Sequence, residues 1–146
     1  MRILFTMASL WLTGTGNTAP VRFDNPEIEK FQGRWQLAEF ELAGGKLSAE
    51  EVKALDTTLT VEGNKYTLMT KGGKPVLGRI AVDPSQSPPT LVRVETDRKN
   101  DLYTWCIYEI KDDTLRLCQD VKGKGRPKEF KATENSTVVT YKRIKE

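Results

Sequence analysis

The chain has 146 residues, of which 38% are hydrophobic and 29% charged, a composition typical of one soluble domain and too apolar for a disordered chain. The formal net charge of +3 is small, whereas nucleic-acid-binding proteins usually carry a strongly basic surface. The sequence contains no histidine, so it lacks the usual general base near neutral pH and the commonest metal ligand. We therefore expect no nucleic-acid partner, no catalytic residues, no metal and no cofactor.

The N-terminus has the pattern of a secretory signal peptide over residues 1–19. Arg2 is a short basic region, the run from Ile3 to Leu12 is apolar, and the segment from Thr13 to Ala19 is small and polar. The apolar run is too short to span a bilayer as a helix. We expect no membrane span and an exported protein, periplasmic or extracellular; a cytoplasmic location follows if the apolar run is not a signal.

A polar lead-in occupies residues 20–30, and the folded domain is predicted to cover residues 31–146. Within the lead-in, Pro26 suits the first position of a helical turn. In the first strand, Trp35 and Leu37 share one face, but the apolar positions then change phase to Ala38 and Phe40. One extra residue near Leu37 or Ala38, a β-bulge, would produce this change.

A helix and a hairpin follow the first strand. Ser48 and Glu51 have the spacing of a capping box, which predicts a short helix from Ala49 to Leu55. Gly63-Asn64 is typical of a two-residue hairpin turn. That turn would place Val61 opposite Tyr66 and Leu59 opposite Leu68, with both pairs on one face.

The next turn leaves the register open. A two-residue loop at Gly72-Gly73 would set Leu68 against Leu77, off the main apolar phase of Val76, Gly78, Ile80 and Val82, whereas a three-residue loop would restore that phase. The segment from Asp83 to Pro89 is predicted to be a rigid surface loop. The strand from Thr90 to Thr96 is predicted to direct Val92 and Val94 inward.

Both cysteines belong to the second clear hairpin, around Asp112-Asp113. If Ile110 lies opposite Leu115, Cys106 points inward and Cys118 outward, which excludes a disulfide. A three-residue loop would instead place the two cysteines opposite each other and permit a bond. Neither is expected to be a nucleophile, because no histidine is present to activate a thiol.

Two final strands, from Glu129 to Thr133 and from Thr137 to Ile144, bring the count to eight or nine. Short strands at even spacing with one short helix predict an all-β fold, an antiparallel barrel or sandwich.

Five blocks of the sequence resemble a family of uncharacterised bacterial lipocalin-like domains best known from planctomycetes. The blocks begin at Phe31 (FQGRWQL), Gly78 (GRIAVDP), Ile107 (IYEI), Asp113 (DTLRLC) and Arg126 (RPKEF). The resemblance implies an eight- to nine-stranded lipocalin-like barrel but supplies no activity, ligand or catalytic residue.

Lipocalins also place a basic residue of the last strand across the tryptophan of their Gly-x-Trp motif. The resemblance therefore implies a structural barrel end made of Gly33, Trp35 and Arg143, or Lys142 in another register. A guanidinium stacked on an indole would stabilise that end by about 0.5–2 kcal/mol.

Three tyrosines on inward phases, Tyr66, Tyr108 and Tyr141, are the candidate ligand-lining residues. The leading hypothesis is a monomeric, non-enzymatic barrel that binds a small apolar or amphipathic molecule. The alternative is a protein–protein or cell-envelope interaction module with a filled barrel, in which loops such as Asp83 to Pro89 bind the partner. The basic loop from Lys122 to Lys128 is either a phosphate cradle or, as the default, a solvated connection.

Overall fold

The computed structural model describes residues 22–96 and 99–145, and the predicted signal peptide lies outside these ranges. A 3-10 helix spans Pro26–Phe31, and the α-helix α1 spans Ala49–Leu55. Nine strands lie in the described part of the chain: β1 Gly33–Leu42, β2 Gly45–Lys46, β3 Thr58–Glu62, β4 Lys65–Met69, β5 Val76–Asp83, β6 Thr90–Glu95, β7 Leu102–Lys111, β8 Thr114–Asp120 and β9 Ser136–Arg143.

Eight of these strands form a closed antiparallel barrel. The strand order is β1-β3-β4-β5-β6-β7-β8-β9, and β9 pairs back onto β1 to close the sheet. The short strand β2 pairs only with the end of β1, as an addition to the barrel. Closure leaves the barrel without free sheet edges. The predicted all-β antiparallel barrel with one short helix is confirmed.

The registers around β4 follow the hydrophobic pattern. Val61 pairs with Tyr66 and Leu59 with Leu68, as the two-residue turn predicts. On the other edge of β4, Leu68 lies opposite Val76, so the connection keeps the apolar side chains on one face. The register with Leu68 opposite Leu77 does not occur, because it would turn the apolar face of β5 towards solvent.

The predicted bulge in β1 is present. The pairing of β1 with β9 shifts by one residue between Leu37 and Glu39. This shift keeps Trp35 and Leu37 in the core and brings Phe40 against the same core. A single inserted residue therefore lets one strand contribute apolar side chains to the interior on both sides of the bend.

Helix α1 begins at the predicted capping box. The Ser48 hydroxyl accepts a hydrogen bond from the Glu51 amide at 3.1 Å, and the Ser48 amide donates to the Glu51 carboxylate at 2.8 Å. Val52 is buried in the barrel core. The Lys71 amide donates to the Leu55 carbonyl at 3.0 Å, which fastens the helix to the β4–β5 loop.

Strand β6 faces the opposite way from the prediction. Val92 and Val94 pack with Ala81 in a cluster separate from the barrel core, whereas Leu91 belongs to the core itself. The alternation along the strand then turns Arg93 inward, where it pairs with the buried Ile80 of β5.

The reason for this reversal lies outside the barrel. Phe23 and Trp105 pack on the cluster of Ala81, Val92 and Val94 from the outer side, so these valines lose their solvent contact without entering the barrel. A strand covered on both faces has apolar residues on both phases, and alternation alone then does not identify its inner face.

The predicted strand from Glu129 to Thr133 is absent. This segment makes a single isolated bridge between Thr133 and Ser136. Phe130 and Ala132 instead pack over Ile107 on the outside of the barrel. The apolar residues that suggest a strand therefore cover the sheet as a loop.

The second hairpin separates the cysteines. Ile110 lies opposite Leu115, so the turn has the register that directs Cys106 inward, and Cys118 faces Ile107 rather than Cys106. Both cysteines are free and buried, Cys106 in the barrel core and Cys118 in the outer cluster. Burial raises the pKa of the Cys106 thiol to about 12, which keeps it protonated and unreactive.

The burial of both thiols predicts slow labelling of the native protein. With a disulfide-exchange reagent at pH 8, we expect little reaction over minutes in the native state and two reactive thiols after unfolding in urea. Absorbance of the released thiolate measures both values. Fewer than two thiols in the unfolded, unreduced protein would indicate a disulfide and contradict the register.

Candidate ligand site in the barrel interior

One end of the barrel, the closed end, is sealed by Trp35. This side chain has no solvent exposure, and its indole nitrogen donates to the Phe31 carbonyl at 2.9 Å. The guanidinium carbon of Arg143 lies 4.2 Å from the centroid of the Trp35 ring. The structure therefore places Arg143 over the indole, while the Lys142 ammonium donates to the Thr114 hydroxyl at 2.9 Å.

Arg143 also joins two other segments at this end, the end of the 3-10 helix and the β7–β8 turn. Its guanidinium donates to the Lys30 carbonyl at 3.0 Å and to the Gln32 carbonyl, and its Nε donates to the Asp113 carboxylate at 3.0 Å. A hydrogen bond from Lys145, assisted by Arg143, holds the pKa of Asp113 below its usual value. Gly33 has a φ of +113°, and a Cβ there would lie 3.3 Å from the guanidinium, so both backbone and space favour glycine.

The 3-10 helix plugs the closed end from below Trp35. Ile28 and Phe31 are buried in the barrel core, so the core begins within the segment that the sequence assigned to the lead-in. The Tyr108 ring meets Phe31 edge-on, with the centroids 5.0 Å apart. The Tyr108 hydroxyl donates to the Glu27 carboxylate at 2.9 Å, and burial together with this carboxylate raises the pKa of Tyr108.

The opposite end of the barrel is covered in part by α1, whose Val52 packs into the core. There, seven inward-facing strand side chains are only partly buried, and we call this set the open-end lumen: Phe40, Leu68, Val76, Arg93, Glu95, Thr104 and Gln119. Deeper inward positions such as Ile80, Leu91 and Val139 are almost completely buried. The candidate site is therefore the open-end lumen and the residues directly beneath it.

Tyr66 and Arg93 meet beneath the rim of this lumen. The guanidinium carbon of Arg93 lies 5.8 Å from the centroid of the Tyr66 ring, within the range of a cation–π interaction. Gly78 makes the room for this ring: a Cβ there would approach the Tyr66 ring to 2.6 Å and the Val94 carbonyl to 2.2 Å. The missing side chain at position 78 thus positions Tyr66.

The three candidate tyrosines do not form one group. Burial raises the pKa of Tyr141, and the nearby positive charge of Arg93 opposes this shift, with smaller effects from Cys106 and Tyr66. Tyr66 and Tyr141 therefore share the surroundings of Arg93, whereas Tyr108 belongs to the closed end. Arg93 is not among the site residues predicted from the sequence, because a charged residue between two valines is typical of a solvent-facing position.

The backbone of the basic loop from Lys122 to Lys128 is held by a carboxylate of the protein itself. The carboxylate of the buried Asp120 accepts hydrogen bonds from the backbone amides of Lys122 at 3.2 Å, Lys124 at 3.1 Å and Gly125 at 3.1 Å. These are the amides that a phosphate would need. This geometry favours the solvated connection over the phosphate cradle.

The loop from Asp83 to Pro89 is likewise organised internally. The Asp83 carboxylate accepts from the hydroxyl and amide of Ser85, at 2.6 and 3.0 Å, and from the Gln86 side chain at 3.1 Å. The hydrogen bond from the Ser85 hydroxyl holds the pKa of Asp83 below its usual value. The charged group of this loop therefore supports the loop's own conformation.

The described residues contain neither a metal-binding cluster nor a membrane-spanning helix. No three His, Cys, Asp or Glu side chains within residues 22–96 and 99–145 group closely enough to hold a metal ion. Over the same ranges, none of the helices combines the length and the apolar character needed to cross a membrane.

Removal of the closed-end indole should be costly. Trp35→Ala is expected to lower the free energy of unfolding by about 3–5 kcal/mol, as for other large-to-small changes in a core. Urea denaturation followed by circular dichroism measures the loss. The control is Trp105→Ala, which removes an indole from the partly exposed outer face and should cost clearly less; equal losses would contradict the closed-end placement.

The close approach at Gly78 predicts a second effect. Gly78→Ala should destabilise the barrel by about 1–3 kcal/mol, because the added methyl group displaces Tyr66 or the neighbouring strand. Gly44→Ala is the matched control, since a Cβ there meets no atom within 4 Å, and it should change stability by less than about 0.5 kcal/mol. Similar urea midpoints for the two variants would show that Tyr66 does not pack against Gly78.

Comparison of the chain with protein-family models, with curated proteins and with solved structures found no match. The resemblance to lipocalin-like domains therefore stays an expectation based on the five sequence blocks.

Proposed function

We propose that the protein is an exported, non-enzymatic, lipocalin-like barrel that binds one small amphipathic molecule in the open-end lumen. The observation that carries the proposal is the uneven burial of the inward side chains, which are partly exposed at one end and sealed beneath Trp35 at the other. Barrels of eight strands have an interior that side chains just fill or that holds one small ligand. An interior whose side chains are only partly buried at one end favours a ligand of modest size.

The lining supports an amphipathic rather than a purely apolar molecule. Phe40, Leu68 and Val76 offer apolar surface near the rim, and Tyr66 with Arg93 offers a polar group beneath it. Binding sites for small molecules usually combine a predominantly apolar wall with a few polar groups that fix orientation.

A binding role without catalysis agrees with the available chemistry. The sequence has no histidine, and the Cys106 thiol stays protonated because burial raises its pKa to about 12. No activated nucleophile therefore faces the lumen from these residue types. The proposed export rests on the signal-peptide pattern of residues 1–19.

Filling the lumen should abolish binding. We expect the uncharged fluorescent probe N-phenyl-1-naphthylamine to bind the protein saturably with one site, and Val76→Trp to weaken binding at least about tenfold, because the larger side chain occupies the space. Probe fluorescence in a titration measures the affinity.

Leu77→Trp is the matched control. Leu77 is the next residue of the same strand, is 43% exposed and faces outward, so the same side chain there should leave the affinity unchanged. Absence of saturable binding to the wild-type protein, or equal loss in both variants, would refute binding in the lumen.

A further inference from the structure

The basic side chain within the lumen has an unusual environment. Arg93 points into the barrel from β6, between Ile80 of β5 and Thr104 of β7. Its Nε atom is shielded from solvent and has no hydrogen-bond partner among the described residues. Buried donors are almost always paired, so an unpaired one in a guanidinium needs an explanation.

Uncharged groups contact the Arg93 guanidinium, and the carboxylate on the same face of β6 is that of Glu95, two residues nearer the rim. The face of the Tyr66 ring lies against the guanidinium. Burial raises the pKa values of both Tyr141 and Cys106, so both stay uncharged at neutral pH. These groups leave an incoming anion a positive charge in a medium of reduced polarity, where attraction is stronger than in water.

From this juxtaposition, and given the proposed binding function on which the inference rests, we propose that Arg93 receives the carboxylate of an amphipathic monocarboxylate bound in the lumen. A guanidinium presents its N–H groups as a planar fork that matches a carboxylate. Among the inward positions of the described strands at this end, Arg93 is the sole basic residue. One positive charge suits a singly charged carboxylate better than a phosphate dianion.

The packing also sets the orientation of the ligand. Beneath Arg93 the interior is closed by buried side chains such as Ile80 and Leu91, so an apolar tail has no room on that side. Towards the rim lie the partly exposed Val76 and the 43% exposed Leu102. The carboxylate therefore points inward to Arg93, and a short tail runs along the rim towards solvent.

Glu95 provides an internal test of the charge argument. It lies on the same face of β6, opposite Leu102 and thus nearer the rim than Arg93. A ligand carboxylate bound at Arg93 is repelled by the Glu95 carboxylate. Neutralising Glu95 should therefore strengthen binding of the acid and leave binding of an uncharged analogue unchanged.

The experiment compares octanoate, octanol and octyl phosphate by isothermal titration calorimetry at pH 7.5 with the full folded barrel. The wild-type protein should bind octanoate about 10- to 100-fold more tightly than octanol, the range expected for a charge-assisted hydrogen bond. Arg93→Met should reduce octanoate to the affinity of octanol without changing octanol itself. Glu95→Gln should tighten octanoate binding about two- to fivefold.

A stability measurement separates ligand binding from a structural role. Methionine keeps the aliphatic packing of Arg93 and removes the unpaired donor, so Arg93→Met should unfold at a higher urea concentration than the wild-type protein. A lower midpoint would assign Arg93 a structural role and overturn the inference.

The remaining outcomes distinguish the two proposals. If neither octanoate nor octanol binds, the proposed function itself fails. If both bind with equal affinity, or if Arg93→Met weakens both equally, binding in the lumen stands and the role of Arg93 is refuted. Tighter binding of octyl phosphate than of octanoate would also refute the carboxylate assignment.

Discussion

The architecture depends on the contacts of Arg143 at the closed end. Its guanidinium lies on the Trp35 ring, donates to the backbone of the 3-10 helix and pairs with Asp113 in the β7–β8 turn. One side chain of the last strand thereby holds the first strand, the plug and a neighbouring hairpin together. Because β1 and β9 also close the sheet, loss of this contact would affect barrel closure and end sealing at once.

A sealed end makes the barrel asymmetric along its axis. The aromatic side chains of Phe31, Trp35 and Tyr108 are buried in the interior at the closed end. The polar inward residues Arg93 and Gln119 lie in the other half. This division agrees with the free-energy cost of removing polar groups from water. A polar group near the rim keeps part of its hydration, whereas the same group beneath Trp35 would lose all of it.

The sequence predicted those features that depend on neighbouring residues. The β3–β4 hairpin, the bulge after Leu37 and the capped helix α1 each arise from local turn chemistry or from alternation within one strand, and each is confirmed. The prediction that Val92 and Val94 of β6 point inward was wrong. The orientation of this strand depends on Phe23 and Trp105, which come from distant segments and cover the two valines. The same error concealed Arg93, since reversing the strand exchanges which side chains enter the barrel.

Arg93 is best understood through what it does to stability. A barrel that needed only a filled interior would gain from an apolar side chain at this position, because an unpaired donor within a core lowers stability. The face of Tyr66 offsets part of this cost, and Gly78 supplies the room that Tyr66 needs. Gly78 and Tyr66 together thus stabilise a cation near the rim. A carboxylate reaching that cation keeps some of its own hydration, so a single arginine is sufficient to hold it.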